Sequence, residues 1–344
     1  MIRTAFGREF SGAAGFLNSA AYGLPPTDVA AAQRALLDEW EAGTLSPQGF
    51  DWSVAAARSA FASLTGTAPE DVAMAGAVSP LIGLVAAAVP DRARVGVLRG
   101  EFTSVSFPFA AHAARGVRVE EHDPAELIAA AAALDVVAVS TVQSADGAVL
   151  DLDALRRATA GTDTLVILDV TQAVGWRRTE AGWADLVTAG SYKWLLAPRG
   201  LAWAAISPRL QERLIPSGAG WYAGEEPWAS VYGLPLRLAS SARRFDVSPA
   251  WFSAHGAGLT LPWLASLDPA RLEAHCLHLA GLARGALELE DNGSAILAIR
   301  RPDAPERLER AGIRAAVRAG AARVSFHLYN TEDDVERLVD ALRA

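Results

Sequence analysis

The sequence contains a single cysteine, Cys276, among its 344 residues. One cysteine excludes a disulfide within the chain and is typical of proteins in a reducing compartment, so we expect a cytoplasmic location. Long apolar runs are also missing, because the most apolar stretch, residues 81–89, is too short to cross a bilayer. Charged residues at Arg3, Arg8 and Glu9 interrupt the N-terminus, which is not the pattern of a signal peptide.

Positive charge is not concentrated in any part of the chain. The formal net charge is −8, and arginines and acidic residues are mixed throughout, which argues against nucleic acid as a partner. Apolar residues make up 51% and charged residues 20% of the composition, which is typical of a globular protein, and we expect no membrane partner. The length allows a large core and about two domains.

Between residues 72 and 210 the chain alternates short apolar runs with helical patterns. Each run has the length and the composition of a strand that is buried on both faces. This repeated alternation predicts an α/β fold with a mostly parallel seven-stranded sheet, right-handed crossovers and helices on both faces. The predicted strands are 72–75, 95–98, 117–120, 136–142, 165–170, 186–189 and 201–206, and the helices between them are 80–88, 104–114, 125–133 and 151–159.

Residues 211–250 have a different character, with four glycines, several prolines and several aromatic residues. They predict a long irregular loop, and such loops in enzymes commonly serve function or form interfaces. Strands and helices of a smaller α+β unit follow from about residue 251. We therefore predict a large α/β domain over residues 15–250, and a small α+β domain over residues 251–344 together with residues 1–14.

Two stretches in the predicted sheet suggest a chemical function. Asp169 lies at the end of the 165–170 run, and the carboxyl ends of buried strands form the ligand crevice of open α/β sheets. Lys193 stands between Tyr192 and Trp194, so we expect partial desolvation, which lowers the pKa of an amine. A lysine that forms a Schiff base and an aspartate that protonates a ring nitrogen are what a pyridoxal phosphate site requires. The alternatives are a turn-forming aspartate and a solvated lysine.

Several small or hydroxylated residues suit the phosphate of such a cofactor. Ala77 and Val78 lie where a helix begins after the first predicted strand, and helix N-terminal amides bind phosphate. Ser191 and Tyr192 directly precede Lys193 and supply hydroxyl donors.

Two further residues suit the cofactor ring. Gln172 lies three residues after Asp169, so both can face one crevice, where the amide can bond a phenolic oxygen. Phe102 follows the second predicted strand, 95–98, and can stack on a flat ring, although packing in the core or at its rim explains a phenylalanine equally well.

The pattern Asp-x-x-Gln-x-x-Gly at 169–175, followed by Ser-Tyr-Lys-Trp at 191–194 and Pro-x-Gly at 198–200, resembles the class V aminotransferase family. The segment Asn-Ser-Ala-Ala that starts at Asn18 and the C-terminal stretch 314–334 extend the resemblance over nearly the whole chain. The resemblance implies the fold-type-I architecture of pyridoxal phosphate enzymes. That family includes cysteine desulfurases, kynureninase and isopenicillin N epimerase.

The resemblance also implies a role for individual residues. Lys193 and Asp169 are the expected catalytic residues, the first as the Schiff-base lysine and the second as the partner of the ring nitrogen. Arg323 is expected to bind the substrate carboxylate as a planar fork, and Asn18 and Tyr22 to lie in the substrate site. The expected cofactor-binding residues are Ala77, Val78, Phe102, Asp169, Gln172, Ser191, Tyr192, Lys193 and Ser248.

Ser248 enters this set through a second subunit. In the family the phosphate site borrows a hydroxyl from the neighbouring chain, and the stretch 244–249 resembles the segment that supplies it. The resemblance therefore implies a homodimer with shared active sites.

The reaction itself is less defined by the sequence. Desulfurases of the family carry a nucleophilic cysteine in a loop before the C-terminal arginine, but here Gly320 runs almost directly into Arg323. Cys276 lies elsewhere, and Phe102 replaces the ring-stacking histidine, so we do not expect a persulfide mechanism. His275 and His278 beside Cys276 lack a fourth ligand nearby, and we expect no metal site.

Aminotransfer, β-elimination with carbon–sulfur cleavage, and epimerisation remain, with kynureninase-like hydrolysis as a weaker possibility. All share the lysine, the aspartate and the carboxylate clamp, and differ in where a proton is delivered. We favour aminotransfer because no added catalytic group is evident, and the aromatic residues of 221–232 suggest a bulky amino acid as the substrate. A cofactor-free binding protein is the alternative from a different class.

Overall fold

The structure is a computed structural model that describes residues 2–343. Runs of four or five buried, mostly apolar residues form five of the seven strands of its central sheet, as expected for a sheet covered on both faces. In chain order the strands are β1 (Arg3–Ala5), β2 (Arg8–Phe10), β3 (Val72–Ala75), β4 (Arg94–Leu98), β5 (Arg118–His122), β6 (Val136–Ser140), β7 (Leu165–Asp169), β8 (Leu186–Gly190), β9 (Ala202–Ile206), β10 (Ile296–Ile299), β11 (Ala316–Arg318) and β12 (Ala321–Ser325).

The central sheet has seven strands in the order β3-β9-β8-β7-β6-β4-β5. Pairing is parallel from β8 through β7, β6 and β4 to β5, whereas β9 runs antiparallel to both of its neighbours. The prediction of seven strands in a mostly parallel sheet is confirmed, and all seven fall within two residues of their predicted bounds.

Helices cover both faces of this sheet. Ile82 and Phe109 belong to the core on one face, and Phe61 and Leu261 to the core on the other. The helices are α1 (Thr27–Glu41), α2 (Asp51–Thr65), α3 (Val78–Ala88), α4 (Thr103–Ala110), α5 (Pro124–Ala130), α6 (Leu152–Thr159), α7 (Pro208–Gln211), α8 (Trp251–Ser266), α9 (Pro269–Ala286), α10 (Ala304–Arg310) and α11 (Glu332–Arg343).

A second, smaller sheet of three antiparallel strands follows, in the order β10-β12-β11. It shares a separate apolar core with α9, α10 and α11, to which Leu279, Leu308 and Leu338 contribute. The hairpin β1–β2, which the sequence did not predict, is tied to α11 by an ion pair between Arg3 and Asp334. The domain boundary at 250/251 stays a prediction, since α8 packs mainly against α2 in the core of the central sheet.

The loop from 212 to 250 contains only short 3₁₀ turns, as predicted. A buried ion pair anchors its end, where Asp246 Oδ2 lies 2.5 Å from Arg58 Nη2 of α2. Asp246 Oδ1 also accepts a hydrogen bond of 2.8 Å from the amide of Met74 in β3. Tyr232 and Leu234, in the middle of the loop, are 86% and 88% exposed. Among the described residues no helix is both long and apolar enough to cross a membrane.

Candidate active site

A cavity opens at the carboxyl ends of β6, β7 and β8. In parallel strands these ends meet at one edge of the sheet, and the register places Ser140 beside Asp169 and Asp169 beside Thr188. The helix α3 begins at the same edge. Seven of the predicted cofactor-binding residues line this cavity, namely Ala77, Val78, Phe102, Asp169, Gln172, Tyr192 and Lys193.

Lys193 lies three residues after β8 and is 6% exposed. Burial lowers the pKa of its amine from 10.5 to about 8, although the nearby carboxylate of Asp169 opposes this shift. Its Nζ lies 5.4 Å from the centre of the Phe102 ring. Lys193 is also the only lysine among the 31 lysine and arginine residues of the chain. The amine is therefore shielded and nucleophilic near neutral pH.

Asp169 is the last residue of β7 and is buried. Its Oδ1 accepts a hydrogen bond of 2.8 Å from the amide of Thr171, which fixes the carboxylate, while Oδ2 accepts none from the described residues. Burial raises the pKa of this carboxyl, and the proximity of Lys193 opposes the rise. Thr171 Oγ1 in turn accepts from the amide of Gly190 at 3.1 Å, which ties the ends of β7 and β8 together.

Steric constraints explain why the last position of the Asp-x-x-Gln-x-x-Gly pattern is a glycine. Gly175 has a φ of +103°, and a Cβ there would lie 2.5 Å from the carbonyl oxygen of Trp194. Gly23 makes a similar approach from the N-terminal segment, because a Cβ would lie 2.0 Å from the carbonyl oxygen of Lys193. The backbone on either side of Lys193 is thus held at distances that only glycine permits.

The first residues of α3 form the end of the cavity that is suited to an anion. Ala77 precedes the helix in an extended conformation, and no side chain caps the first amides of the helix. Tyr192 lines the cavity as well. Ser191 is fully buried and does not line it, but its hydroxyl has no hydrogen-bond partner among the described residues.

Phe102 stands over the other side of the cavity and is 42% exposed. The preceding Glu101, which the sequence did not single out, is buried beneath it. Its carboxylate accepts hydrogen bonds from the amide of Phe102 at 2.7 Å and from the amide and hydroxyl of Ser140 at 2.9 and 2.6 Å. Burial raises the pKa of this carboxyl, and these hydrogen bonds oppose the rise. Glu101 therefore fixes the start of α4 against the end of β6.

Gln172 lines the cavity but already has protein partners. Its Nε2 donates to the carbonyl of Ala20 at 2.9 Å and to Ser144 Oγ at 3.1 Å, and its Oε1 accepts from Trp194 Nε1 at 2.8 Å. The amide is held in one orientation by these contacts. Its hydrogen bond to the ring hydroxyl of the cofactor stays a prediction. To form that bond, Nε2 must release either the carbonyl of Ala20 or the hydroxyl of Ser144.

Arg323 in β12 is buried and does not itself line the cavity, but it contacts Ser144, which does. Its Nη1 donates to the carbonyl oxygen of Ser144 and, at 3.0 Å, to Ser144 Oγ, while its Nε has no partner among the described residues. Burial, together with the charge of nearby Arg318, lowers the pKa of this guanidinium to about 10. A buried cation with unused donors beside the cavity fits the predicted carboxylate clamp.

The remaining predicted residues lie at or outside the margin of the cavity. Tyr22 is 46% exposed, with its ring 6.0 Å from that of Tyr192. Asn18 is half-buried, does not line the cavity, and its side-chain oxygen has no partner among the described residues. Ser248 is exposed and away from the cavity of its own chain.

The aromatic residues of 221–232 do not line the cavity of their own chain either. Two of them bind Asp51 at the start of α2, with Tyr222 Oη at 3.2 Å and Trp228 Nε1 at 2.7 Å from its carboxylate oxygens. Within the chain the loop is therefore packed against α2, and the expectation that it shapes a site for a bulky substrate gains no support from this cavity.

Sequence reasoning missed several residues of the cavity. Arg199 lines it and lies over the Tyr192 ring, with Cζ 5.2 Å from the ring centre. Its position inside the Pro-x-Gly pattern was a usable signal. Ser144 lies in a turn whose path depends on contacts distant in sequence, so only its nearness to the 136–142 strand could have indicated it. The uniqueness of Lys193 was the strongest signal available in the composition.

The residues around the cavity fit pyridoxal phosphate. The structure provides a shielded amine at Lys193, a fixed carboxylate with a free oxygen at Asp169, an uncapped helix start at Ala77 and an unpartnered buried hydroxyl at Ser191. Amine, acid and phosphate donors are the groups that the aldehyde, the ring nitrogen and the phosphate of this cofactor require.

Comparison with known proteins agrees with this chemistry. The sequence model of the family described as Aminotransferase class-V matches residues 114–303, more than half of the chain. The chain is 26% identical to an uncharacterized aminotransferase of Bacillus subtilis over 90% of each chain. It is 28% identical to isopenicillin N epimerase of Streptomyces clavuligerus, over 84% of this chain and 83% of that one.

Solved structures show the same fold. A cysteine desulfurase from Thermococcus onnurineus superposes with a TM-score of 0.82 at 17% identity, over 95% of this chain and 93% of that one. The cystine C–S lyase C-DES superposes with a TM-score of 0.82 at 18% identity, over 96% and 97%. The resemblance seen in the sequence is therefore confirmed: the chain belongs to the class V aminotransferase family and is a pyridoxal phosphate-dependent enzyme of the fold-type-I architecture.

Proposed function

We propose that the chain is an aminotransferase that acts on an amino acid through a Schiff base at Lys193. The observation that carries the proposal is a single buried amine, with its pKa lowered to about 8, at a cavity that also holds a fixed carboxylate. Bound pyridoxal phosphate supplies an electron-accepting ring that stabilises negative charge at the substrate α-carbon. An amine of this pKa can take up and release a proton near neutral pH, as aminotransfer requires.

The chain's own residues divide the remaining tasks. Asp169 keeps the ring nitrogen protonated, and the start of α3 at Ala77 and Val78 holds the phosphate, together with the hydroxyls of Ser191 and Tyr192. Phe102 covers one face of the ring, and Gln172 contacts its hydroxyl. All of these residues except Ser191 line one cavity, which supports their assignment, and the buried hydroxyl of Ser191 has no hydrogen-bond partner among the described residues.

Arg323 binds the α-carboxylate of the substrate in this proposal. Its Nη1 is aligned by Ser144, and its charge has no acidic partner among the described residues. Asn18 and Tyr22 lie at the margin from which the substrate enters. Because Lys193 is the only amine at the cavity, it would be the residue that takes up and returns the proton of the substrate α-carbon, on one face of that carbon.

Epimerisation is the second candidate, favoured by the 28% identity with an isopenicillin N epimerase over most of both chains. It needs proton donors on two opposite faces of the α-carbon. Tyr192 is next to Lys193 in sequence, and burial raises the pKa of its hydroxyl, which makes it a poor acid–base group near neutral pH. Carbon–sulfur lysis needs an acid for the leaving group and kynureninase-like hydrolysis a base for water, and among the described residues lining the cavity only Asp169, Tyr192, Lys193 and Arg199 are ionisable.

A half-reaction separates these candidates. The holoenzyme is mixed with single amino acids without a keto-acid acceptor, and the bound cofactor and products are identified by absorbance and mass spectrometry. Aminotransfer predicts stoichiometric pyridoxamine phosphate and one equivalent of keto acid. Solvent deuterium at the α-carbon with loss of optical rotation would indicate an epimerase, and pyruvate with ammonia from cysteine conjugates a lyase. A colourless protein that ignores added pyridoxal phosphate would contradict every version.

We also propose a cytoplasmic homodimer in which Ser248 contacts the phosphate in the neighbouring subunit. The exposed position of Ser248 outside its own cavity, and the highly exposed Tyr232 and Leu234 in the same loop, support this arrangement. Sedimentation at micromolar concentration should give twice the 36.1 kDa chain mass, and Ser248→Ala should weaken cofactor binding. A fully active monomer would contradict the shared site.

A further inference from the structure

Three arginines, Arg199, Arg318 and Arg323, act electrostatically on Lys193, and only one of them has a role so far. Arg323 is the carboxylate clamp, whereas Arg199 and Arg318 are unassigned. None of the three forms an ion pair with an Asp or Glu in the part of the chain that the structure describes. Twelve other arginines in the described part of the chain do form such pairs, so their charges are already balanced.

The register of the small sheet puts Arg318 and Arg323 on one face. Ala316 of β11 lies opposite Arg323 of β12, and Arg318 lies opposite Ala321. Side chains alternate along a strand, so Arg318 shares the face of Ala316 and of Arg323. Diagonal neighbours of this kind have Cα atoms about 7–8 Å apart, within reach of two long side chains that bind one molecule.

A tight turn fixes this geometry. Between β11 and β12 only Ala319 and Gly320 intervene, with φ values of +46° and +74°. Positive φ at both central residues is the pattern of a two-residue hairpin turn that matches the twist of its strands. The turn replaces the cysteine-bearing loop of desulfurases and leaves Arg318 directly at the end of the hairpin.

Arg199 approaches from the large sheet. It is exposed, lines the cavity, and stacks over the ring of Tyr192. The register places Arg318 beside Arg323, and Arg199 lines the cavity with Lys193; in agreement, all three guanidinium groups lower the pKa of the Lys193 amine. Like charges repel when no anion lies between them, so an anion at the mouth of the cavity would relieve an unfavourable arrangement.

We propose that Arg318, together with Arg199, forms a second carboxylate site at the mouth of the cavity, and that the substrate is an amino acid with a carboxylate in its side chain. Arg323 takes the α-carboxylate, and the second site takes the distal one. This inference rests on the proposed function only in that the substrate is an amino acid. Binding of its two carboxylates does not depend on which reaction follows. Planar guanidinium groups suit carboxylates because they donate two parallel hydrogen bonds.

Calorimetry with non-reacting acids tests the site on the holoenzyme. Glutarate carries two carboxylates on five carbons, and valerate carries one on the same five carbons. We expect glutarate to bind about 10- to 100-fold more tightly than valerate, the range for hydrogen bonds to a charged group. Arg318→Gln should remove most of this difference with little effect on valerate, and Arg199→Gln a smaller part. Arg310→Gln, which removes an exposed charge on α10, is the matched control and should change neither affinity.

The outcomes separate this inference from the proposed function. Tight, Arg318-dependent glutarate binding without aminotransfer would support the second site and contradict the reaction. Aminotransfer with equal binding of glutarate and valerate would overturn the second site and leave the reaction. A third result, in which Arg318→Gln and Arg199→Gln weaken pyridoxal phosphate binding and leave the glutarate preference unchanged, would assign these arginines to the cofactor phosphate and overturn the inference.

Discussion

Lysine occurs once in this chain, and arginine provides every other basic side chain apart from histidine. At exposed positions either residue can carry a positive charge. At position 193 only lysine can form a Schiff base, because a guanidinium stays protonated and is not a nucleophile. Burial then brings the pKa of this amine to about 8. At pH 7 roughly one tenth of such amines are unprotonated, far more than for an exposed lysine.

This pKa predicts how stability depends on pH. Between about 8 and 10.5 the unfolded chain keeps a proton on Lys193 that the folded chain has released, so this residue's contribution to stability rises with pH in that window. At pH 7 the buried ammonium is a cost. Lys193→Met should therefore stabilise the apoprotein at pH 7 by roughly 1–3 kcal/mol in urea unfolding. No stability gain at pH 7, or one that grows with pH, would contradict a lowered pKa.

Asp169 offers a test of charge rather than shape. Asp169→Asn keeps the size of the side chain and an oxygen for the amide of Thr171, but removes the negative charge. We expect this variant to bind pyridoxal phosphate and to lose about 10²–10³-fold in kcat, because a preorganised charge contributes on this scale. Steady-state kinetics measures the loss in kcat, and the absorbance of the bound cofactor shows separately whether pyridoxal phosphate still binds. An Asp169→Asn enzyme of normal kcat would show that the carboxylate is only structural.

At the scale of elements, the site depends on where strands end and on what locks their ends together. Thr171 bonds β7 to β8, and Glu101 bonds the start of α4 to the end of β6. The strands that end at this edge could be predicted, because strands that are buried on both faces appear in the sequence as apolar runs. The antiparallel position of β9 was not predictable, since strand order arises from pairing between distant segments.

The ion pair between Arg58 and Asp246 fixes the end of the long loop to α2 and β3. Asp246→Ala would leave Arg58 buried without its partner, and we expect a loss of about 3–5 kcal/mol in the free energy of unfolding. Asp91→Ala, which breaks an exposed pair with Arg115, is the matched control and should cost at most about 1 kcal/mol. Equal, small losses in both variants by urea unfolding would show that the loop is not anchored here.

At the scale of the whole molecule, the sequence was sufficient for the fold class and for most of the cavity. Asp169, Gln172 and Lys193 follow strands whose apolar runs are unmistakable, so their convergence at one edge could be predicted. Arg199 and Ser144 were missed because both lie in turns whose conformation depends on tertiary contacts. The hairpin β1–β2 was missed because its three-residue strands carry no apolar alternation long enough to detect.

Modification of Cys276 tests whether the reaction uses a cysteine thiol. The thiol is fully buried in α9, and burial raises its pKa, which makes it unreactive. We predict that iodoacetamide leaves the activity of the native enzyme unchanged and that Cys276→Ala keeps kcat within about threefold, a change under 1 kcal/mol. Loss of activity on alkylation, under conditions where the protein stays folded, would reopen a mechanism through cysteine.

The mass of the protein after borohydride reduction of the holoenzyme shows whether Lys193 binds pyridoxal phosphate covalently. Since Lys193 is the only lysine, peptide mapping needs to distinguish it only from the N-terminal amine. We expect one phosphopyridoxyl group per chain, located on Lys193, and none on the folded Lys193→Arg variant. A reduced holoenzyme with no added mass, or with the group on the N-terminus, would contradict this expectation.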